Sequence, residues 1–369
     1  MNKKRALNFE KGLPVLASLV SIMLGLFFGF IVMLVSNPSQ VLVGFKTILT
    51  GGFYGGARGF GQVLYYAAPL LMTGLSVGFA FKTGLFNIGA SGQFIMGAFG
   101  AVYVGVKWTF LPEGVHWIAA TLAAMLLGGL CALLPGVLKA YLNVNEVVSC
   151  IMMNYIAIYL VNQLVLKTVY DKLKNQSLPV SRSAQLPKMG LDVLFPGSSA
   201  NAGIIIAIAI AVVIHIVLNK TTFGYELKAC GFNAHASKYS GINIKLNIVS
   251  SMVISGVLAG LGGAILYLAE TGKHIVVQDV IPAEGFSGIS IALLALSNPL
   301  GIIFVAIFIA YITVGGFQLQ MFNYPTQVVD MIISAIIYFS AFAMAIRILV
   351  SYIKKRRDMA KMEEGAKSK

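Results

Sequence analysis

The stretch "GFSGISIALLALSNPLGIIFVAIFIAYITVGGFQLQMFNYPTQVV", residues 285–329, contains no Asp, Glu, Lys or Arg. An α-helix crosses the hydrocarbon core of a bilayer in roughly 20 residues. This run of 45 residues is therefore long enough for two crossings, and "SNPLG" at 297–301 supplies the turn between them. Working outward, further charge-free runs occupy 63–81, 85–106, 117–138, 147–166, 193–219 and 246–269. With 13–36 and 327–350 added, ten spans are expected. Composition agrees: 58% of the residues are hydrophobic and 11% charged, whereas a soluble domain is about a quarter charged. The chain reads as an all-α polytopic membrane protein of about ten transmembrane helices, a single membrane domain over residues 1–369.

Lys3, Lys4, Arg5 and Lys11 precede the first span. That span is too long for a signal-peptide core and no small-x-small cleavage site follows it closely, so it reads as a retained anchor. Placing the N-terminus inside puts 18 of the 27 Lys and Arg residues on the inner side, as positively charged inner loops require. The layout then has a cytoplasmic N-terminus at 1–12, an outer loop at 168–200, an inner segment at 220–245 and a cytoplasmic basic tail at 351–369. Within the wet segment 37–62, the apolar piece 41–50 is too brief to cross and is expected as a half-inserted or surface helix. The net charge of +14 reflects this topology and contact with anionic membrane lipid. No interleaving of basic and aromatic residues points to nucleic acid.

Enzyme chemistry finds little support. "TGKH" at 271–274 has Tyr267 where a phosphate-binding loop needs its first Gly, and His274 where it needs Ser or Thr. The chain is not expected to hydrolyse ATP itself. His116, His215, His235 and His274 are dispersed. Cys131, Cys150 and Cys230 are not paired by spacing, and no metal site is expected. Asp330 alone among the acids falls within a span. What the spans do hold is neutral and polar: Asn87, Ser91 and Gln93 in the third, Asn154 and Asn162 in the fifth, Ser287 and Ser290 in the eighth. Amides in hydrocarbon must be hydrogen-bonded. They either tie helices together or line a path for an uncharged, hydroxyl- or amide-bearing solute such as a sugar or nucleoside. "GLFNIGASGQFIMGAFGA" (84–101) and "EGFSGISIALLALSNPLGI" (284–302) form a weak internal repeat of Gly-rich, polar-interrupted stretches. Transporters often build their path at such matching places in two halves.

The inner segment carries "TTFGYELKACGFNAHASKYSGIN", residues 221–243. Its first part reads as an amphipathic helix that Gly231 ends. Asn233 suits a helix N-cap, and residues 234–240 give two turns before Gly241. The small side chains there fit a helix that lies deep in a partner's groove.

These residues resemble a known family. "GYELKACGFNAHASKYSGI" (224–242) is similar to the cytoplasmic coupling segment of the branched permeases of ABC importers, which serve ribose, branched-chain amino acids and nucleosides. "GLFNIGASGQFIMGAFGA" resembles the Phe-Asn-Ile-Gly-x-x-Gly-Gln signature of the nucleoside-type permeases. "VVSCIMMNYIAIYLVNQLV" (147–165) and "GFSGISIALLALSNPLGI" (285–302) look like the same subgroup. Ala90 and Ser91 stand where that subgroup usually has an acid before the Gly-Gln pair, and Phe232 and His235 depart from commoner choices. The resemblance covers about residues 60–320. It implies a bacterial plasma-membrane importer subunit for nucleosides, with a ribose-type sugar permease as the neighbouring alternative and a stand-alone secondary carrier as the more distant one. It also implies four partners: a cytoplasmic ATPase with fused nucleotide-binding domains that binds the ATP, a second homologous permease forming a heterodimer, an extracellular substrate-binding lipoprotein and the nucleoside itself. Gly231, Asn233, Ala234, His235, Ser237 and Gly241 are then expected to couple to the ATPase, and Asn87, Gln93, Asn154 and Ser287 to border the substrate path.

Overall fold

The computed structural model describes residues 3–270, 273–325 and 327–341. The chain forms helices α1 (Lys3–Ser36), α2 (Val41–Thr50), α3 (Ala57–Lys82), α4 (Ala90–Lys107), α5 (His116–Leu142) and α6 (Glu146–Thr168). A short antiparallel hairpin follows, β1 (Tyr170–Asp171) and β2 (Gln176–Ser177), and then α7 (Leu191–Leu194). The remaining helices are α8 (Ala202–Lys220), α9 (Thr222–Phe232), α10 (Ala234–Tyr239), α11 (Ile244–Tyr267), α12 (Ala283–Leu294), α13 (Pro299–Phe317) and α14 (Gln327–Ala341).

Among the described residues, six stretches are long and apolar enough to cross a membrane: α3, α5, α6, α8, α11 and the segment Pro299–Phe322. The turn expected at 297–301 falls at 295–298, between α12 and α13, where Leu296 and Ser297 take the left-handed conformation (φ 53° and 54°), and Pro299 already starts α13. The short helix expected at 41–50 is α2. Two expected spans begin later than charge alone indicated. The third starts at Ala90, not 85, leaving Asn87 in a loop, and the sixth starts at Ala202, because 193–201 is taken up by the end of α7 and a turn. The basic tail at 351–369 lies outside the described residues.

The chain divides into two compact units. The larger is Ile48–Gly315; the smaller joins the residues up to Thr47 with those from Gly316 onward. In the smaller unit α1 packs on α14, and the buried Tyr324 donates its hydroxyl hydrogen to the Asn37 carbonyl (2.8 Å).

In the larger unit α11 is the centre, packed against α3, α4 and α5. Close approach needs small residues where no solvent-driven force squeezes helices together. At the α5/α11 crossing, a Cβ on Gly128 would stand 2.8 Å from the Gly260 Cα, which excludes any larger residue. Side-chain oxygens begin the helices at their starts: Asn145 accepts from Val147 N, Asn201 from Gly203 N, Thr221 from Gly224 N and Asn243 from Leu246 N. Each satisfies one backbone donor that the first turn leaves without a helical partner.

Candidate functional site

Two regions along α11 carry most of the polar organisation. The first surrounds the loop 83–89 between α3 and α4, whose Thr83, Leu85, Asn87 and Gly89 are buried. Asn87 is fully buried. Its Nδ2 donates to Gln93 Oε1 (2.8 Å) and Ser255 Oγ (2.6 Å). Its Oδ1 accepts from Gln93 Nε2 and Gly89 N, both at 3.0 Å. An amide has two donors and two acceptor sites, so the capacity of Asn87 is fully used. Ser255 donates to the Ser76 carbonyl (2.7 Å), so in the 2.9 Å pair between the two hydroxyls Ser76 is the donor. Thr83 and Ser251 join their hydroxyls one turn further on. From α6, Asn154 accepts from Gly92 N (2.8 Å) and donates to the Ile88 carbonyl (3.1 Å).

The structure therefore brings Asn87, Gln93 and Asn154 together around one loop. All three are buried, and their polar atoms bond within the bundle. Ser287 is apart from them, on α12, where its hydroxyl donates to the Ala283 carbonyl (3.1 Å). Ser91 behaves differently. Its hydroxyl is fully buried and has no hydrogen-bond partner among the described residues. It faces α12, where a Cβ on Gly285 would overlap it.

The second polar region follows α11. Residues 273–282 form a non-helical strap before α12. The strap is held from two sides. Ser177 N donates to the Ile275 carbonyl (2.8 Å), and Asn162 Nδ2 donates to the Gln278 carbonyl and to Asp279 Oδ1, both at 3.1 Å. Its ends meet where Lys273 Nζ pairs with Glu284 Oε1 at 3.0 Å. Under it lies a cleft of about 270 Å³ walled by Ile95, Ile158, Tyr267, Gln278 and that ion pair. Nearby, the buried His116 donates from Nε2 to the Val104 carbonyl (3.0 Å), so its Nδ1 can accept from Ser183 (2.8 Å) and pin the 168–200 loop.

At the other end of α11 lies the segment 221–243. Here one expectation is corrected. Gly231 does not stop the first helix; α9 continues to Phe232, and the extended Asn233 (φ −157°, ψ 100°) breaks it. Gly231 instead meets other backbone: a Cβ there would lie 2.6 Å from the Thr83 carbonyl carbon and 2.7 Å from Gly84 N. Asn233 Oδ1 caps α10 by accepting from Ala236 N (3.1 Å). α10 ends at Tyr239, and two residues beyond it Gly241 has a φ of +80°, which suits glycine. Ala234, His235 and most of α10 are exposed, flanked by Phe232 at 90% and Tyr239 at 95% exposure, whereas Ser237 is buried and donates to the Asn233 carbonyl. Burial holds the Cys230 thiol above its ordinary value, and its bond to Ser237 opposes that. A groove of about 460 Å³ beside the segment is bordered by Lys82, Lys228, Tyr225 and Phe232.

Among the described residues no three of His, Cys, Asp or Glu stand together to hold a metal. Sequence reasoning missed Ser76, Ser255, Tyr267 and Gln278. The serines lie in featureless apolar runs. Lys273 was visible only within the rejected phosphate-loop match "TGKH" and Glu284 only as a charge at a span boundary, and their pairing needed the strap to fold back.

A family described as "branched-chain amino acid transport system / permease component" matches residues 59–341. The chain is 37% identical to the guanosine ABC transporter permease protein NupP of Bacillus subtilis, over 92% of this chain and 97% of that one. It is 31% identical to the nucleoside ABC transporter permease protein NupB of Lactococcus lactis, over 98% of each. NupQ, a second guanosine ABC transporter permease protein of B. subtilis, is 28% identical over 67% of this chain and 78% of its own. No solved structure matches.

Proposed function

The chain belongs to the permease-component family of branched-chain amino acid transport systems, and from that membership we infer that it is the membrane subunit of an ATP-binding-cassette importer for nucleosides. It is a multi-pass membrane protein. The observation that carries the substrate class is the near-full-length similarity to two permeases named for guanosine and nucleoside transport. Within this reading the membrane is the bacterial plasma membrane, the chain makes ten crossings in two weakly repeated halves, and both termini are cytoplasmic. The helices α1, α4, α12 and α14 supply the four crossings beyond the six long apolar stretches.

In this scheme ATP is bound and hydrolysed by a separate cytoplasmic subunit with fused nucleotide-binding domains. A second, homologous permease completes the pore; B. subtilis has two related guanosine permeases, NupP and NupQ. An extracellular lipoprotein delivers the solute. The exposed helix α10, with Asn233, Ala234, His235 and Gly241 around it, is the contact for the ATPase. Gly231 passes its movement to the loop 83–89, which Ser237 and Asn233 support from their own side by fixing the shape of α10. Asn87, Gln93 and Asn154 hold that loop and border the path together with Ser287. Their amides become free for solute only when the loop network opens.

Uptake of labelled guanosine by the assembled transporter tests the substrate class. Unlabelled uridine or guanosine should suppress it, and ribose in large excess should not. Suppression by ribose at the same concentrations as by guanosine would move the assignment to a sugar importer.

A further inference from the structure

We propose that the cleft beneath the 273–284 strap is a solute-binding pocket of the importer, and that the ion pair between Lys273 and Glu284 is the latch that closes it. The proposal rests on the nucleoside reading above and assigns that reading a place in the chain. Ile95, Ile158 and the ring of Tyr267 form an apolar wall, while Gln278 and His274 offer hydrogen bonds beside it. The two charges in the lining neutralise each other. Such a lining suits an uncharged compound with a planar ring and several hydroxyl or amide groups, which is the chemistry of a nucleoside.

The surroundings are built for opening at one edge only. The middle of the strap is bonded to the β1/β2 hairpin and to Asn162. Its ends are joined by the partly exposed Lys273–Glu284 ion pair, a weak kind of contact in the presence of water, and Lys273 also lies over the Tyr267 ring. Helix α12 has 12 residues, about 18 Å of helix, against a hydrocarbon core of roughly 30 Å. A short helix continued by irregular backbone is tolerated at membrane depth where that backbone lines a cavity. Glu284 lies in the first turn of α12, and the next residue, Gly285, packs on Ser91. Ser91 is one helical turn from Ile95 of the cleft wall, and its hydroxyl is buried without a partner among the described residues. Release of Glu284 lets this turn of α12 move off Ser91, which then offers the next hydrogen-bonding group along α4.

The experiment places cysteines at 273 and 284 (K273C with E284C) in the complete transporter carrying C230S, and joins them through disulfides with a short bis-methanethiosulfonate crosslinker. Guanosine uptake should fall at least tenfold on crosslinking, return on reduction, and be unaffected by the reagent in either single variant. A complete crosslink, shown by mass spectrometry, with unchanged uptake would overturn the latch. As a separate measure, Y267L and Q278A should each raise the KM for guanosine at least fivefold, and an unchanged KM in both would overturn the pocket. If the unmodified transporter takes up no guanosine, the nucleoside reading itself has failed; if it does and the variants are silent, only the pocket has.

Discussion

The backbone of Gly231, in α9, lies directly against that of Gly84, in the loop after α3. A Cβ on Gly84 would stand 2.5 Å from the Gly231 Cα, and Gly84 has a φ of +76°. Neither residue can carry a side chain without moving backbone. This contact joins the exposed α9/α10 segment to the loop that holds Asn87. A push on α10 therefore has a direct backbone-to-backbone route to that loop, with no side chain between them to absorb it.

Gly231→Val is expected to break that route. The assembled complex should lose at least tenfold in uptake while its ATPase subunit remains bound in pull-down. Uptake within twofold of the unmodified complex would remove the contact from the coupling mechanism.

Asn233→Ala removes the N-cap of α10, at a cost of about 1 kcal/mol to that helix. Because α10 has only six residues, this loss weighs heavily against its order. Transport should fall several-fold, and Asn233→Ser, which restores a capping oxygen, should recover most of it. Equal losses in both variants would mean the cap is not what matters.

Asn87→Ala strips partners from Gln93, Ser255 and Gly89 N at once. A buried polar group left without a hydrogen bond costs about 1–3 kcal/mol. The purified variant in detergent should therefore unfold at a temperature several degrees lower than the unmodified chain. An unchanged melting temperature would show that water or a rearrangement replaces the network.

Cys230 gives a chemical probe of the same end. Its thiol sits above its ordinary value because burial disfavours the thiolate, and only the thiolate reacts. Maleimide labelling should be slower than that of a free thiol near neutral pH and should quicken as pH rises.

Much of the helical layout could be read from where charge is missing, because a 20-residue apolar run has few alternatives. The turn at 297–301 and the cap at Asn233 were legible for local reasons: Pro, Gly and Asn act through their own backbone neighbours. Gly231 was misread for the same reason. A glycine that ends a helix and a glycine that admits another backbone look alike in sequence, and only the approach of Gly84 separates them. The amides of Asn87, Gln93 and Asn154 were visible as costly groups needing partners, but not which partners, since Asn87 and Ser255 lie 168 residues apart in the chain. The strap escaped notice because it has no periodic pattern and its latch joins residues on either side of a proline.

The most direct test of the account is guanosine uptake into proteoliposomes holding the chain with and without its ATPase and second permease. With all subunits and internal or external ATP reaching the ATPase, labelled guanosine should accumulate against its gradient, and a non-hydrolysable ATP analogue should abolish this. Accumulation by this chain alone, unaffected by the analogue, would contradict the reading of the chain as the membrane subunit of an ATP-driven importer.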